Sequence, residues 1–157
     1  MVEHGAEPVV CRRAGAQDVP AIVAMLADDA FGRGREQAGS ELHPAYARAF
    51  EAIAADPNQL LAVAECAGAI VGTLQISFLP GLSHLGAWRG EIEAVRIDSR
   101  LRGRGLGRQM LLWAIEQCRA RGCRLVQLTT NAARVDAQRF YEQIGFERSH
   151  IGFKYQL

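Results

Sequence analysis

A chain of 157 residues, 49% hydrophobic and 22% charged, fits one domain spanning residues 1–157, with length enough to bury a core. Its net charge of +1 makes no global case for nucleic acid or a membrane surface as partner, and no apolar run approaches the roughly 18 residues of a membrane span. The start Met1-Val2-Glu3-His4 has neither a basic stretch nor an apolar signal core, so a cytoplasmic location is expected. Cys11, Cys66, Cys118 and Cys123 show no metal-type spacing, because Cys118-x4-Cys123 has no second pair to complete a ligand set. They read as reduced thiols, Cys118 on an apolar helix face and Cys11 and Cys66 in strands.

Val9-Val10-Cys11 is a short β-type run. Asp18 is placed to cap a helix, with Pro20 in its first turn, and apolar Ile22, Val23, Leu26 and Ala30 continue it. Phe31-Gly32-Arg33-Gly34-Arg35 breaks that helix and the loop runs to Ser40. A second amphipathic helix covers Pro44 to Ala55, with Tyr46, Phe50 and Ile53 on its apolar side and Asp56-Pro57-Asn58 as its stop. Leu60 to Cys66 and Ile70 to Leu79 flank Ala67-Gly68-Ala69 and predict a hairpin. Pro80-Gly81 to Gly86 is a loop, and Glu91 to Asp98 a strand.

Arg102-Gly103-Arg104-Gly105-Leu106-Gly107-Arg108 follows that strand and opens a helix carrying Met110, Leu111, Ala114, Ile115 and Cys118, which Gly122 ends. Leu125 to Thr129 is a strand. Asp136 to Ile144 is a helix with Ala137, Phe140, Tyr141 and Ile144 at i, i+3, i+4 and i+7, stopped by Gly145. Phe146 to His150 and Ile151 to Tyr155 read as β segments. The order β-α-α-β-β-β-α-β-α-β predicts an α/β (α+β) fold, a central mixed sheet with helices on both faces.

The strand, glycine loop and helix put several unpaired N–H groups at the positive end of a helix dipole, a site for phosphate oxygens. A nucleoside-triphosphate loop is excluded, because Gly-Lys-Ser/Thr is missing after Gly107. A dinucleotide loop fits poorly, because Arg108 stands where glycine or alanine belongs. Arg96, Arg100, Arg102, Arg104 and Arg108 cluster here, either as a solvated face or to attract a polyanionic ligand.

Val95-Arg96-Ile97 followed by Arg102-x-x-Gly105-x-Gly107 resembles the pyrophosphate loop of the GNAT acetyltransferases, which bind acetyl-coenzyme A. Ala137-Gln138-Arg139-Phe140-Tyr141-Glu142-x-x-Gly145-Phe146 looks like the same family's second signature. The longer string Thr129-Thr130-Asn131…Asp136-Ala137…Phe140-Tyr141…Ser149-His150 is similar to a branch that includes aminoalkylphosphonate N-acetyltransferases. The resemblance covers nearly the whole chain and implies an acyl-CoA N-acyltransferase fold. It also implies acetyl-CoA as cosubstrate, with the acetyl group passing directly to an amine in a ternary complex.

The resemblance further implies that backbone groups of Val95, Arg96 and Ile97 hold the pantetheine arm, and that those of Arg102, Gly103, Arg104, Gly105, Leu106, Gly107 and Arg108 hold the pyrophosphate. Ala137 and Tyr141 belong to the same cofactor-binding signature, and Asn131 either bonds the pantetheine amides or is a turn residue. Two departures stand out: Ser99 replaces a common proline, and Arg134 a common asparagine.

Acetyl transfer to an amine needs a base, a polarised carbonyl and a proton for the departing thiolate. Glu91 and Glu93 alternate along one strand and share a face; crowding would raise one carboxyl toward neutrality. Glu93 is the first choice for the base on family grounds, Glu91 the second, since a bulge would change which residue faces the cleft. The competing reading pairs both with arginines. Tyr141 is the acid by resemblance, or a core tyrosine.

The family builds its acceptor site from regions equivalent to Phe31 to Ser40, Leu82 to Trp88 and His150 to Phe153. There Arg33 and Arg35 either recognise an acidic group or are solvated, His84 and His150 are second bases, metal ligands or surface residues, and Trp88 lines the pocket or covers the sheet. The leading function is N-acetylation of a small-molecule amine. The alternatives are protein or peptide N-acetylation and a non-catalytic acyl-CoA sensor, against which Glu93 and Tyr141 both argue. A homodimer is compatible with exposed sheet edges but is not selected by the sequence.

Overall fold

A computed structural model describes residues 8–157, so the Met1-Val2-Glu3-His4 start lies outside the described residues. The elements run β1 (Val10–Arg13), α1 (Val19–Ala27), α2 (Pro44–Ala55), β2 (Gln59–Cys66), β3 (Ala69–Leu79), β4 (Arg89–Ile97), α3 (Leu106–Ala120), β5 (Leu125–Leu128) and α4 (Val135–Ile144). The strands lie side by side in chain order. Pairs from β1 to β4 are antiparallel, and α3 crosses over to make β4 and β5 parallel. Ala67 and Gly68 form the tight β2–β3 turn, both at positive φ, the backbone that matches strand twist in a two-residue hairpin loop.

Alternation along the strands separates two cores. Leu60, Ala62, Ala64, Leu74, Ile76 and Ile92 turn toward α3, whose Met110, Leu111, Ala114 and Cys118 are fully buried against them. Leu61 and Val63 turn to the other face, where Ala14, Ile22 and Leu26 meet them. The expected two-sided sheet is therefore present. α3 ends as expected: Gly122 sits at φ 78, its N–H donates to Arg119, and the Cys123 N–H donates to the Cys118 carbonyl at 3.0 Å. No helix among the described residues is long and apolar enough to cross a membrane.

At Gly90 α3 lies close against the sheet, because a Cβ there would collide with Cys118 Sγ. With Cys118 fully buried and unable to withdraw, Gly90→Ala should cost about 1–3 kcal/mol of stability. Urea unfolding tests this, and the double variant with Cys118→Ala should recover most of the loss.

Several expectations are corrected. Asp18 does not cap α1. It is buried, and its carboxylate accepts from the Gly15 N–H at 2.7 Å and from both Arg12 Nη atoms at 2.7 and 3.0 Å, because a buried carboxylate needs a cation more than a helix needs a cap. α1 stops at Ala27, short of Ala30, because Asp29 folds back to accept the N–H groups of Phe31 and Gly32. Residues 146–155 form no strand: among the described residues their backbone N–H groups make local bonds, from Phe146 to Tyr141 O and from Ser149 to Glu147 O, and no ladder. Ile151, Phe153 and Tyr155 are 83%, 92% and 90% exposed, so the alternating pattern has no surface to pack on.

Candidate active site

The site begins where β4 loses a neighbour. β5 pairs with β4 from Arg89↔Leu125 to Ile92↔Leu128 and then leaves. On the other side, Glu93 pairs Gln75 and Arg96 pairs Thr73, so Ala94 and Val95 stand opposite Leu74 alone. This is a β-bulge, with Ala94 at φ 53, a conformation that costs a non-glycine residue energy and re-aims its neighbours. Beyond Ile92 the outer edge of β4 is open, and Val95 and Ile97 lie on that stretch. The Val95 carbonyl accepts from Arg96 Nη1 at 2.8 Å, which occupies one of its two lone pairs.

The glycine loop lies at the end of the same edge. Asp98 accepts from the Arg100 N–H at 3.0 Å and opens the short turn Ser99–Leu101, so a capping carboxylate does the work of the missing proline at Ser99. Gly103 and Gly105 sit at φ 78 and 79, and Gly105 starts α3. Among the described residues, the N–H groups from Gly103 to Arg108 donate no hydrogen bond to the chain, and they surround the positive end of a 15-residue helix. The side chains of Arg102, Arg104 and Arg108 are exposed, and Leu106 is buried beneath them. Gly107 packs close to Phe140 of α4, where a Cβ would stand 3.3 Å from the ring. Loop and α4 therefore share one wall.

Glu91 and Glu93 share a face as expected, because Ile92 between them and Gly90 before them turn toward α3. Their surroundings differ. Glu91 Oε2 accepts from Gln127 Nε2 at 2.6 Å across the last β4–β5 pairs. Glu93 is exposed at the bulge, with no hydrogen bond or ion pair among the described residues. Among the described residues neither carboxylate pairs with an arginine.

Tyr141 packs its ring on Phe140 at 5.3 Å and Phe146 at 6.0 Å, with Ala137 one turn earlier on α4. Burial pushes its phenol pKa up, and the positive charges of Arg96 and Arg134 offset this only in part. Its proton is retained, which a donor requires. Asn131 Oδ1 accepts from the Ala133 N–H at 2.9 Å and so closes a turn.

One cluster was missed by sequence reasoning. Asp29 Oδ2 lies 2.8 Å from Arg96 Nε and 2.8 Å from Arg134 Nη2, and Arg134 stacks over Phe31 with 4.8 Å to the ring centre. The unusual Arg134 thus joins the loop after α1 to β4 and to the start of α4. A signal was available, because Asp28 and Asp29 sit at the unfavourable negative end of α1 and call for a cation.

Burial raises the Asp29 carboxyl, but Arg134, the Gly32 and Phe31 N–H groups and Arg96 overrule it and hold the pKa at about 2, below the ordinary 3.8. A depressed folded-state pKa stabilises above the unfolded value and loses that contribution as pH falls toward the folded one. The cluster should therefore be intact above about pH 4 and fail between 4 and 2. Asp29→Asn should remove that acid-dependent loss from a pH series of melting temperatures.

The expected acceptor regions are spread around this centre. An apolar cavity of about 140 Å³ lies between α1, α2 and the sheet, walled by Val19, Val23, Tyr46, Phe50, Gln75 and Ala94. Arg35 is engaged with Glu36 at 2.6 Å, and the Tyr46 hydroxyl donates to the same carboxylate at 2.8 Å, while Arg33 is exposed. Trp88 packs on the core and, with His84, lines a second cavity. His150 is exposed, with Nδ1 2.7 Å from Ser149 Oγ.

Comparison with known proteins finds relatives that span most of the chain. Residues 22–146 match the sequence model of the Acetyltransferase (GNAT) family. The aminoalkylphosphonate N-acetyltransferase of Salmonella typhimurium is 36% identical over 111 residues, 71% of each chain. A crystal structure from Bacillus halodurans C-125, described as a transcriptional regulator, superposes with a TM-score of 0.92 at 48% identity, covering 96% of this chain and 100% of that one. Glucosamine-6-phosphate N-acetyltransferase from Arabidopsis thaliana shares the fold, with a TM-score of 0.78 at 24% identity over 96% and 99% of the two chains.

Proposed function

The chain belongs to the GNAT acetyltransferase family, and from that premise we propose that it acetylates a primary amine of a small molecule by direct transfer, with both substrates bound. Acetyl-coenzyme A, when bound, supplies the acetyl group as an activated thioester. The residues fit it: the open backbone edge at Val95 and Ile97 would hold the pantetheine arm, and the free N–H groups from Gly103 to Arg108 would hold the pyrophosphate. Glu93 takes the proton of the acceptor ammonium, directly or through one water, and Tyr141 returns a proton to the leaving sulfur. Glu91, tied to Gln127, shapes the floor beside it.

The observation that carries this reading is a coincidence of three features at one point of β4. The bulge, the departure of β5 and an unpartnered carboxylate fall within adjacent residues. The test is thiol release from acetyl-coenzyme A against a panel of small amines, amino acids, aminoglycosides and short peptides, with and without divalent metal. Aminoalkylphosphonates come first on that panel, on the name of the Salmonella relative. A saturable small-amine substrate is expected. Turnover on peptides alone would replace the small-molecule reading, and silence with coenzyme A still raising the melting temperature would favour a sensor.

A further inference from the structure

Arg89, the first residue of β4, stands out because its Nε is shielded from water and has no hydrogen-bond acceptor among the described residues. Arg96 Nε, equally shielded, lies 2.8 Å from Asp29 Oδ2. A guanidinium nitrogen withdrawn from water without an acceptor is costly, and such an orphan calls for an absent partner. Arg89 lines a cavity of about 220 Å³ together with Ser83, His84, Trp88 and Arg124, and no carboxylate lines it. Arg124 is exposed and makes no ion pair among the described residues; its backbone N–H donates to Trp88 O at 2.8 Å. Two arginines, a serine and a histidine thus line the cavity, with no carboxylate among the described residues around it.

Its position ties it to the site. Alternation along β4 puts Arg89 on the same face as Glu91 and Glu93, since Gly90 and Ile92 turn to α3. Four residues of strand separate Arg89 from Glu93, roughly 13 Å between their Cα atoms.

We propose that this cavity is the subsite for an oxyanion carried by the acceptor, a phosphate, phosphonate or carboxylate at the end of the molecule remote from the amine. The proposal rests on the acetyl-transfer reading above. Arg89 and Arg124 grip the oxyanion with charge-assisted hydrogen bonds, Ser83 and His84 complete the wall, and the amine reaches Glu93. The separation requires an extended acceptor, longer than a two-carbon amine.

Two measurements test it. In the first, inorganic phosphate and propylphosphonate are titrated calorimetrically into the protein with coenzyme A saturating, so that the glycine loop is filled. Saturable binding is expected, weakened about 10- to 100-fold in Arg89→Gln and in Arg124→Gln. Arg124→Gln removes only an exposed side chain, so its fold is safe. In the second, ω-aminoalkylphosphonates of increasing chain length are compared with plain alkylamines of the same length. KM for the phosphonates should fall with length to an optimum. Arg124→Gln should raise it at unchanged kcat, while the alkylamines are unaffected.

No saturable anion binding, binding undiminished in both variants, or equal efficiency for the two amine series would overturn the subsite. Failure of coenzyme A to bind would sink the transfer reading instead. Anion binding without coenzyme A that the two variants still weaken would then keep the subsite.

Discussion

Gly105→Glu should abolish coenzyme A binding in calorimetry, weakening it at least about 100-fold, the scale of introducing a repelled charge at a buried anion contact. Gly105 begins α3 at φ 79, where a residue with a Cβ is strained by about 1–2 kcal/mol. The larger effect is electrostatic. The N–H groups from Gly103 to Arg108 carry no other hydrogen bond, so a carboxylate placed among them both satisfies them and repels a pyrophosphate. Gly105→Ala separates the two effects, since it shares the strain without the charge and should lose stability while keeping most of its affinity. Unchanged binding in Gly105→Glu would show that the phosphates lie elsewhere.

The features legible in the sequence are those set by local chemistry. Pro44–Ala55 was readable to the residue, because Pro44 opens it, Asp56-Pro57 closes it and one apolar stripe runs between. The glycine loop and the α3 stop at Gly122 were readable because positive φ demands glycine. The shared face of Glu91 and Glu93 followed from strand alternation.

The misses share a cause, which is dependence on a partner outside the helix or strand that holds the residue. Asp18 looks like a cap until Arg12 is brought beside it by β1. Asp29 looks like a helix-end residue until β4 delivers Arg96 and α4 delivers Arg134. The tail from Phe146 to Tyr155 has a strand's alternation, yet a strand needs an edge to pair with, and its backbone pairs with none among the described residues. Arg89 gave no signal, because what distinguishes it is an acceptor that the surrounding structure does not provide.

Glu93→Gln should lower kcat by about 10²- to 10⁴-fold, the range of a positioned general base, with coenzyme A affinity nearly intact. The isosteric amide keeps the size of the side chain, and Glu93 is exposed with no partner among the described residues to lose. A fall in rate cannot therefore be assigned to unfolding, and melting temperatures should match. Glu91→Gln is the informative contrast. It replaces the acceptor of the Gln127 hydrogen bond, so it should shift KM for the amine more than kcat if Glu91 only positions the floor of the site. A full-rate Glu93→Gln with a crippled Glu91→Gln would transfer the base to Glu91, meaning that the bulge at Ala94 turns Glu93 away from the acceptor. Full rate in both would leave water as the base, with the open β4 edge and the glycine loop contributing through positioning alone.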